Sequence, residues 1–234
     1  MKIVALTKVK KFLGRRALHA AMATAVLTGL AASVPCNGCY TGLALIPTAD
    51  VVEPGTYSIE AQFDASFTGG DENTRFLDTE FGVTPRFEVG IDNDFSKTAE
   101  TRILLNAKYV MITRHRHNPA VAVGICNVGR RLRSSPYVVA TKDFAATRGH
   151  VGVISMDGVG CWFAGVDKAI GERRVLMADY ISGTGNDWSI GVSRQFNDRF
   201  GITSGVVFPN AGGGAGFTMH LVFGGSYRQG RGKE

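Results

Sequence analysis

Residues 56–67, TYSIEAQFDASF, alternate between apolar and polar side chains without interruption, and this pattern constrains the fold more than any other feature of the chain. Successive side chains of a β-strand point to opposite faces, so the stretch predicts a strand with one apolar and one polar face. In a soluble protein the apolar face is buried. In an outer-membrane barrel it contacts lipid, and the polar face contacts the lumen.

The chain after residue 50 shows no sustained helical spacing of apolar residues, because Gly and short turn sequences interrupt every run. The sequence therefore predicts an all-β protein. An even number of strands, each with about 9–11 residues, is typical of transmembrane β-barrels. Twelve segments qualify: 56–67, 74–83, 86–95, 101–112, 119–128, 135–144, 148–156, 161–169, 173–181, 187–196, 200–208 and 217–224.

The connections between these segments are short and of two alternating kinds. Tight turns such as TPR (84–86) and FNDRF (196–200) alternate with polar or Gly-rich loops such as GRRLRSSP (129–136) and NAGGGAG (210–216). This alternation is expected of a barrel with periplasmic turns at one end and extracellular loops at the other. Aromatic residues flank two of the tight turns and predict an interfacial girdle: Phe81 with Phe87, and Phe196 with Phe200.

The N-terminal segment carries the excess of positive charge. Of 26 Lys and Arg residues against 20 Asp and Glu, six precede residue 36, where there is no acid, and the remainder balance. The cationic stretch MKIVALTKVKKFLGRR, followed by the Ala-rich ALHAAMATAVLTGLAASV, predicts a secretory signal over residues 1–36, cleaved after Ser33, with an uncleaved anchor as the alternative. Because the rest has no basic excess, the sequence argues against nucleic-acid binding.

Four cysteines occur in this exported chain. Cys36 and Cys39 form CNGC at the end of the signal segment, without a second CxxC or a His pair to complete a zinc site. We therefore expect a disulfide or a processing-site residue there, with lipidation of Cys36 as an alternative. Cys126 and Cys161 lie in separate predicted strands, and we predict no bond between them.

The last predicted strand, 217–224, follows Gly216 within GFTMHLVF (216–223), and it places Phe217, Met219, Leu221 and Phe223 on one face. It resembles the C-terminal assembly signal of outer-membrane barrels, although the chain continues beyond it as a tail over residues 225–234.

Residues 41–59, TGLALIPTADVVEPGTYSI, resemble the opening of YjbH-type outer-membrane proteins. The shared features are Gly42-Leu43, then Ile46-Pro47-Thr48-Ala49, then Gly55 before the first strand. The resemblance implies a membrane barrel associated with exopolysaccharide production, with envelope secretion proteins as partners. The Pro- and Gly-bearing lead-in, residues 37–55, cannot join a strand ladder regularly, so we expect it outside the wall or inside the lumen.

The polar faces of the first four strands predict a lumen lining that is mostly acidic. Such charges need partners or water, so they either pair across a plug-like interior or line a hydrated, cation-preferring channel. The predicted lining residues are Glu60, Gln62, Asp64, Asp78, Glu80, Glu88, Asp92, Asp94, Asn106 and Lys108. Later strands add His150, Asp167, Asp179, Ser193, Gln195 and His220.

Other chemistry finds little support in the sequence. His115 and His117 in RHRHN have no nearby carboxylate or cysteine, which favours a solvated basic turn over a metal site. A lipid hydrolase using Ser155 or Ser193 with His150 or His220 lacks a nucleophile elbow. No Gly-rich phosphate loop opens a helix, so we predict no catalytic residue, metal or cofactor.

These observations predict an up-and-down antiparallel transmembrane barrel of about twelve strands over residues 56–224, located in the outer membrane. The predicted function is a narrow channel or a component of exopolysaccharide secretion, in contact with outer-membrane lipid and with a polysaccharide or a small polar solute. The alternatives are a soluble, periplasmic or secreted β-sandwich or barrel that binds a ligand, and an outer-membrane lipid hydrolase.

Overall fold

The computed structural model describes residues 41–68, 73–96, 103–115, 118–129 and 133–227. Within them the chain forms a closed barrel of twelve strands, each antiparallel to its neighbours in sequence, with β1 closing on β12. The strands are β1 (Thr56–Ser66), β2 (Thr74–Thr84), β3 (Phe87–Asp94), β4 (Ile103–Ile112), β5 (Ala120–Val128), β6 (Ser135–Phe144), β7 (Thr147–Met156), β8 (Val159–Ala169), β9 (Arg174–Ile181), β10 (Asp187–Gln195), β11 (Phe200–Pro209) and β12 (Gly216–Ser226).

The predicted fold is confirmed, and each predicted strand boundary lies within two residues of the observed one. The signal segment, Cys36, Cys39 and His117 lie outside the described residues. Among the residues described, no helix is long and apolar enough to cross a membrane.

The barrel closes along its first and last strands. Eleven consecutive residues of β1 pair with β12, from Thr56 opposite Ser226 to Ser66 opposite Gly216. Tyr227 follows β12, and its hydroxyl donates to the carbonyl of Gly82 at 2.6 Å. Gly225 and Ser226 therefore belong to the barrel and not to the predicted tail.

The outward face of the wall is apolar. In β1 the polar Ser58 and Gln62 are each 2% exposed, whereas the apolar Phe63 is 37% exposed. Apolar side chains are exposed elsewhere around the barrel as well, and Val151 and Trp162 are more than half exposed. A soluble β protein would bury the apolar face, so this distribution is that of a lipid-facing barrel.

Aromatic pairs occupy both ends of the outer wall. At the end that carries both the first residue of β1 and the last of β12, which we call the turn end, Phe196 stacks on Phe200 with ring centroids 5.5 Å apart. At the opposite end, the loop end, Trp162 packs on Tyr180 and Trp188 stacks on Phe208. Aromatic rings at two levels are the arrangement of the interfacial girdles of membrane barrels.

The predicted alternation of turns and loops has two exceptions. At the loop end, β7 and β8 are joined by Asp157 and Gly158 alone, with φ of 51° and 84°. Positive φ at both central residues defines a type I′ hairpin, for which Asp-Gly is a preferred sequence. Ladder pairing therefore continues to Val159, two residues before the predicted start of β8. At the turn end, β4 and β5 are joined by a longer connection, residues 113–119.

Candidate functional site: the interior of the barrel

One side of the interior, on β1 to β4, is lined by charged and polar groups. Strand alternation and closure turn these side chains inward, because each is buried while its sequence neighbours are more exposed. Eight of the ten residues predicted to line a lumen are at most 9% exposed: Glu60, Gln62, Asp78, Glu80, Glu88, Asp92, Asn106 and Lys108. The other two, Asp64 and Asp94, lie near the loop end and are partly exposed.

Some of these interior charges are paired. Lys108 Nζ lies 2.8 Å from Glu88 Oε1, and His220 Nδ1 lies 2.5 Å from Glu60 Oε1. Asn106 Nδ2 donates to Asp92 Oδ2 at 2.6 Å. These contacts join neighbouring strands of the wall, β3 with β4 and β12 with β1, so part of the cluster is paired along the wall.

Other carboxylate oxygens in the same cluster have no partner among the described residues. They are Asp64 Oδ1, Asp78 Oδ1, Glu80 Oε1 and Asp92 Oδ1. Asp78 stands directly opposite Glu60 on one side and Asp92 on the other in the strand ladder. Like charges so placed repel one another, so this wall favours cations or protons over anions.

The later strands contribute two further polar groups. Arg148 forms bidentate contacts with Asp167, at 2.7 Å between Nη2 and Oδ2, and His150 Nε2 lies 3.2 Å from the same oxygen. Asp179 accepts a hydrogen bond from the hydroxyl of Ser189. Each of these acids has a hydrogen-bond donor next to it.

The lead-in segment occupies the interior beside these groups. Leu45 N donates to Asp179 Oδ2 at 3.0 Å, Ala49 N to Thr141 Oγ1 at 2.9 Å, and Val52 N to Glu88 Oε2 at 2.8 Å. Of the two locations expected for the lead-in, outside the wall or inside the lumen, the structure shows the second for residues 41–52. We call these residues the plug.

The plug packs its apolar side chains against the opposite wall. Leu45 and Ile46 are 7% and 2% exposed, and they belong to one cluster with interior side chains of β5 to β9. Those wall residues include Tyr137, Val139 and Phe163, each at most 3% exposed. One wall of the interior is therefore polar and acidic, and the other is apolar and covered by the plug.

Asp50 fastens the plug at the turn end. Its carboxylate accepts hydrogen bonds from Arg114 Nη2 at 2.7 Å and from Arg148 Nη1 at 2.6 Å. Burial raises the pKa of Asp50, but the charges of Arg148 and Arg114 outweigh it and hold this pKa below its usual value of 3.8. Asp50 is therefore ionised at neutral pH, and we call this group of three residues the latch.

A cavity of about 280 Å³ remains between the plug and the wall. Its polar lining comes mainly from β1 and β10 to β12, and the plug closes the other side with Leu43 to Ile46. Two residues predicted on later strands, Ser193 and Gln195, line it together with Gln62, Thr203 and His220. The cavity thus offers uncharged hydrogen-bonding groups next to an ion pair, which suits a small polar solute.

The geometry separates Ser155 from the histidines considered for a hydrolase, whereas Ser193 and His220 line the same cavity. Ser155 belongs to the outward face of β7, whereas His150 is buried inside beside Thr141 and Asp167. His220 bonds to Thr218 and Glu60, and Thr218 is 1% exposed.

Within the described part of the chain, no group of three or more His, Cys, Asp or Glu is arranged to hold a metal ion. The thiol of Cys161 is free, so Cys161 is not bonded to Cys126.

Residue patterns did not predict the latch or the apolar wall. The apolar wall had a signal: AVAVGICNV in β5 is apolar on both faces, which indicates a strand covered on both sides. No sequence pattern indicates that Asp50, Arg114 and Arg148 lie together, because their positions follow from the path of an irregular segment through the barrel.

Comparisons with known proteins agree with this geometry. No family model and no curated protein matches the sequence. The structure is similar to that of KdgM porin in complex with disordered oligogalacturonate, with a TM-score of 0.57, 11% identity, and coverage of 71% of this chain and 98% of that chain. A second KdgM porin structure gives a TM-score of 0.54 at 11% identity, with the same coverage of each chain.

The fold is a twelve-stranded barrel similar to that of KdgM porin. Omp33, an outer membrane protein of Acinetobacter baumannii, is also similar, at a TM-score of 0.49 and 7% identity over 72% of this chain and 97% of that chain. The comparisons support an outer-membrane barrel and do not support the YjbH-type assignment, which rests on residues 41–59 alone.

Proposed function

We propose that this protein is a non-enzymatic outer-membrane barrel that forms a narrow channel, closed in the described state by residues 41–52. The apolar outward face and its two aromatic levels fit a location in lipid. The observation that carries the channel proposal is the partly unpaired polar wall of the interior, which lies beside the plug. A purely structural barrel of this size would not need unpaired interior carboxylates.

The charge of the interior points to the class of solute. KdgM porin has a structure with oligogalacturonate, whose sugar units carry carboxylates. Here the wall of β1 to β3 is acidic, with carboxylate oxygens that have no partner among the described residues. Such a wall repels polyanions, so we propose cations and small neutral polar molecules, including neutral saccharides, as the solutes.

A role in exopolysaccharide secretion is the second candidate. The segment that resembles YjbH-type proteins, residues 41–59, includes the plug. A secretion partner that bound residues 41–52 would therefore open the lumen. This role predicts that opening depends on another envelope protein.

The channel proposal is tested by conductance of the purified protein in a planar lipid bilayer. Asp50→Asn removes the charge that Arg114 and Arg148 hold. We expect wild type to show a small conductance with rare openings, and Asp50→Asn to open often, with a preference for K⁺ over Cl⁻.

Asp143→Asn is the matched control, because Asp143 lies at the same end and contacts Arg114 at 3.4 Å, but forms no ion pair with the plug among the described residues. It should behave as wild type. Absence of conductance in both wild type and Asp50→Asn, with the folded barrel present in the bilayer, would overturn the channel proposal.

A further inference from the structure

The outer wall carries a group of cationic side chains at the turn end, on β6 to β10. Lys142, Lys168 and Arg194 lie within two residues of the ends of β6, β8 and β10, and Arg174 begins β9. All four are exposed and alternate with inward-facing residues, so they point away from the barrel. We call these four residues, with Arg173 and Arg199 of the adjoining turns, the cationic belt.

The belt contains charges that no described residue neutralises. Arg174 and Arg194 stand directly opposite each other in the ladder between β9 and β10. Like charges in this position destabilise a sheet unless an anion lies between them. Among the residues that the structure describes, none of the six belt cations forms an ion pair, including with Glu172 and Asp198 in the same turns.

Two guanidinium groups contact one aromatic residue of the girdle, and a third stands opposite one of them in the ladder. Arg194 lies over the ring of Phe196 at 4.9 Å, Arg173 Nη1 donates to the carbonyl of Phe196 at 2.7 Å, and Arg174 is opposite Arg194. Lys142 similarly lies 5.5 Å from the centre of the Phe144 ring. These contacts hold the cations at the wall and leave other N–H groups of the guanidinium forks free to donate.

The belt borders the apolar band of the wall. Leu176 and Val166, two residues from Arg174 and Lys168, are 45% and 50% exposed. A ligand here therefore meets cations and hydrocarbon side by side. A phosphodiester headgroup with its acyl chains offers that combination, whereas a free phosphate ion offers the charge alone.

We propose that the cationic belt binds the phosphodiester headgroups of acidic glycerophospholipids. The turn end carries mostly short connections, as the periplasmic end of such barrels does, and so it faces the phospholipid leaflet of the outer membrane. The inference rests on the membrane location proposed above but not on the channel.

The test is lipid retention by the full chain in vesicles of equimolar phosphatidylglycerol and phosphatidylcholine, followed by gentle extraction and mass spectrometry of bound lipid. We expect wild type to retain several-fold more phosphatidylglycerol than phosphatidylcholine. The double variant Arg174→Gln, Arg194→Gln should retain about one-tenth as much phosphatidylglycerol as wild type. Arg75→Gln with Arg86→Gln removes the same charge elsewhere on the exposed surface and should retain lipid as wild type does.

Lys142→Gln with Lys168→Gln tests the belt independently if the arginine variant fails to fold. Equal retention of the two lipids by folded wild type, or equal losses in belt and control variants, would overturn the belt proposal alone. Release of the lipid by millimolar inorganic phosphate would identify a general anion site and would also overturn it. A protein that does not enter the vesicles would instead contradict the membrane location.

Discussion

At the scale of single residues, Lys108 connects the wall to the plug. Its ammonium group contacts Glu88 Oε1 at 2.8 Å, donates to the carbonyl of Asp50 at 3.0 Å, and bonds to Thr41 Oγ1. The side chain is 1% exposed, so these partners replace its water. An ion pair this deeply buried is costly to break from one side, because the remaining charge stays buried.

Lys108→Met should therefore lower the free energy of unfolding by about 3–5 kcal/mol. The measurement is the urea concentration at which the compact band of the unboiled protein disappears on electrophoresis. Lys108→Met combined with Glu88→Gln removes both charges and should recover most of this loss. Equal losses in the single and double variants would show that the pair itself contributes little.

Strand alternation was sufficient to predict that Lys108, Glu88 and Asp92 share one face. It could not predict which of them are paired, because pairing depends on the register between strands, which places Lys108 directly opposite Glu88, and on the plug. Glu60 illustrates this, since its partner His220 is 160 residues away. The unpaired carboxyl oxygens of Asp78 and Glu80 are likewise a property of the closed barrel.

At the scale of elements, the strands were predictable and the plug was not. Each strand carries its own period-two signal, whereas residues 41–52 have no period and follow the space that the wall leaves. The path of the plug into β1 depends on Gly82, which faces inward on β2. A Cβ there would lie 2.0 Å from Glu53 O and 2.4 Å from Val52 O, both backbone atoms.

Gly82→Ala should consequently destabilise the folded barrel by about 1–3 kcal/mol, because the backbone of residues 52–53 must move. The compact-band assay in urea measures this loss. Gly160→Ala, in β8, is the control, because a Cβ there meets no atom within 4 Å. If the two substitutions have the same effect, the lead-in does not pass over Gly82 as described.

At the scale of the whole molecule, closure of twelve strands decides what each face contacts. The same alternation in TYSIEAQFDASF would suit a soluble sandwich, and only the burial of Ser58 and Gln62 inside a closed wall separates the two folds. The count of strands and their spacing predicted the barrel. The division of its interior into an acidic wall and an apolar wall follows from which strands turn acids inward and which turn apolar residues inward, and the plug packs on the apolar wall.

Tryptophan fluorescence tests the orientation of the wall most directly. The chain has two tryptophans, Trp162 and Trp188, and both are outward-facing, at 54% and 37% exposure. In vesicles, we expect blue-shifted emission because both rings face lipid. Lipids brominated on the acyl chains should quench it strongly, and aqueous iodide should quench it weakly. Emission quenched by iodide and insensitive to brominated lipid would contradict the lipid-facing wall, and with it the channel.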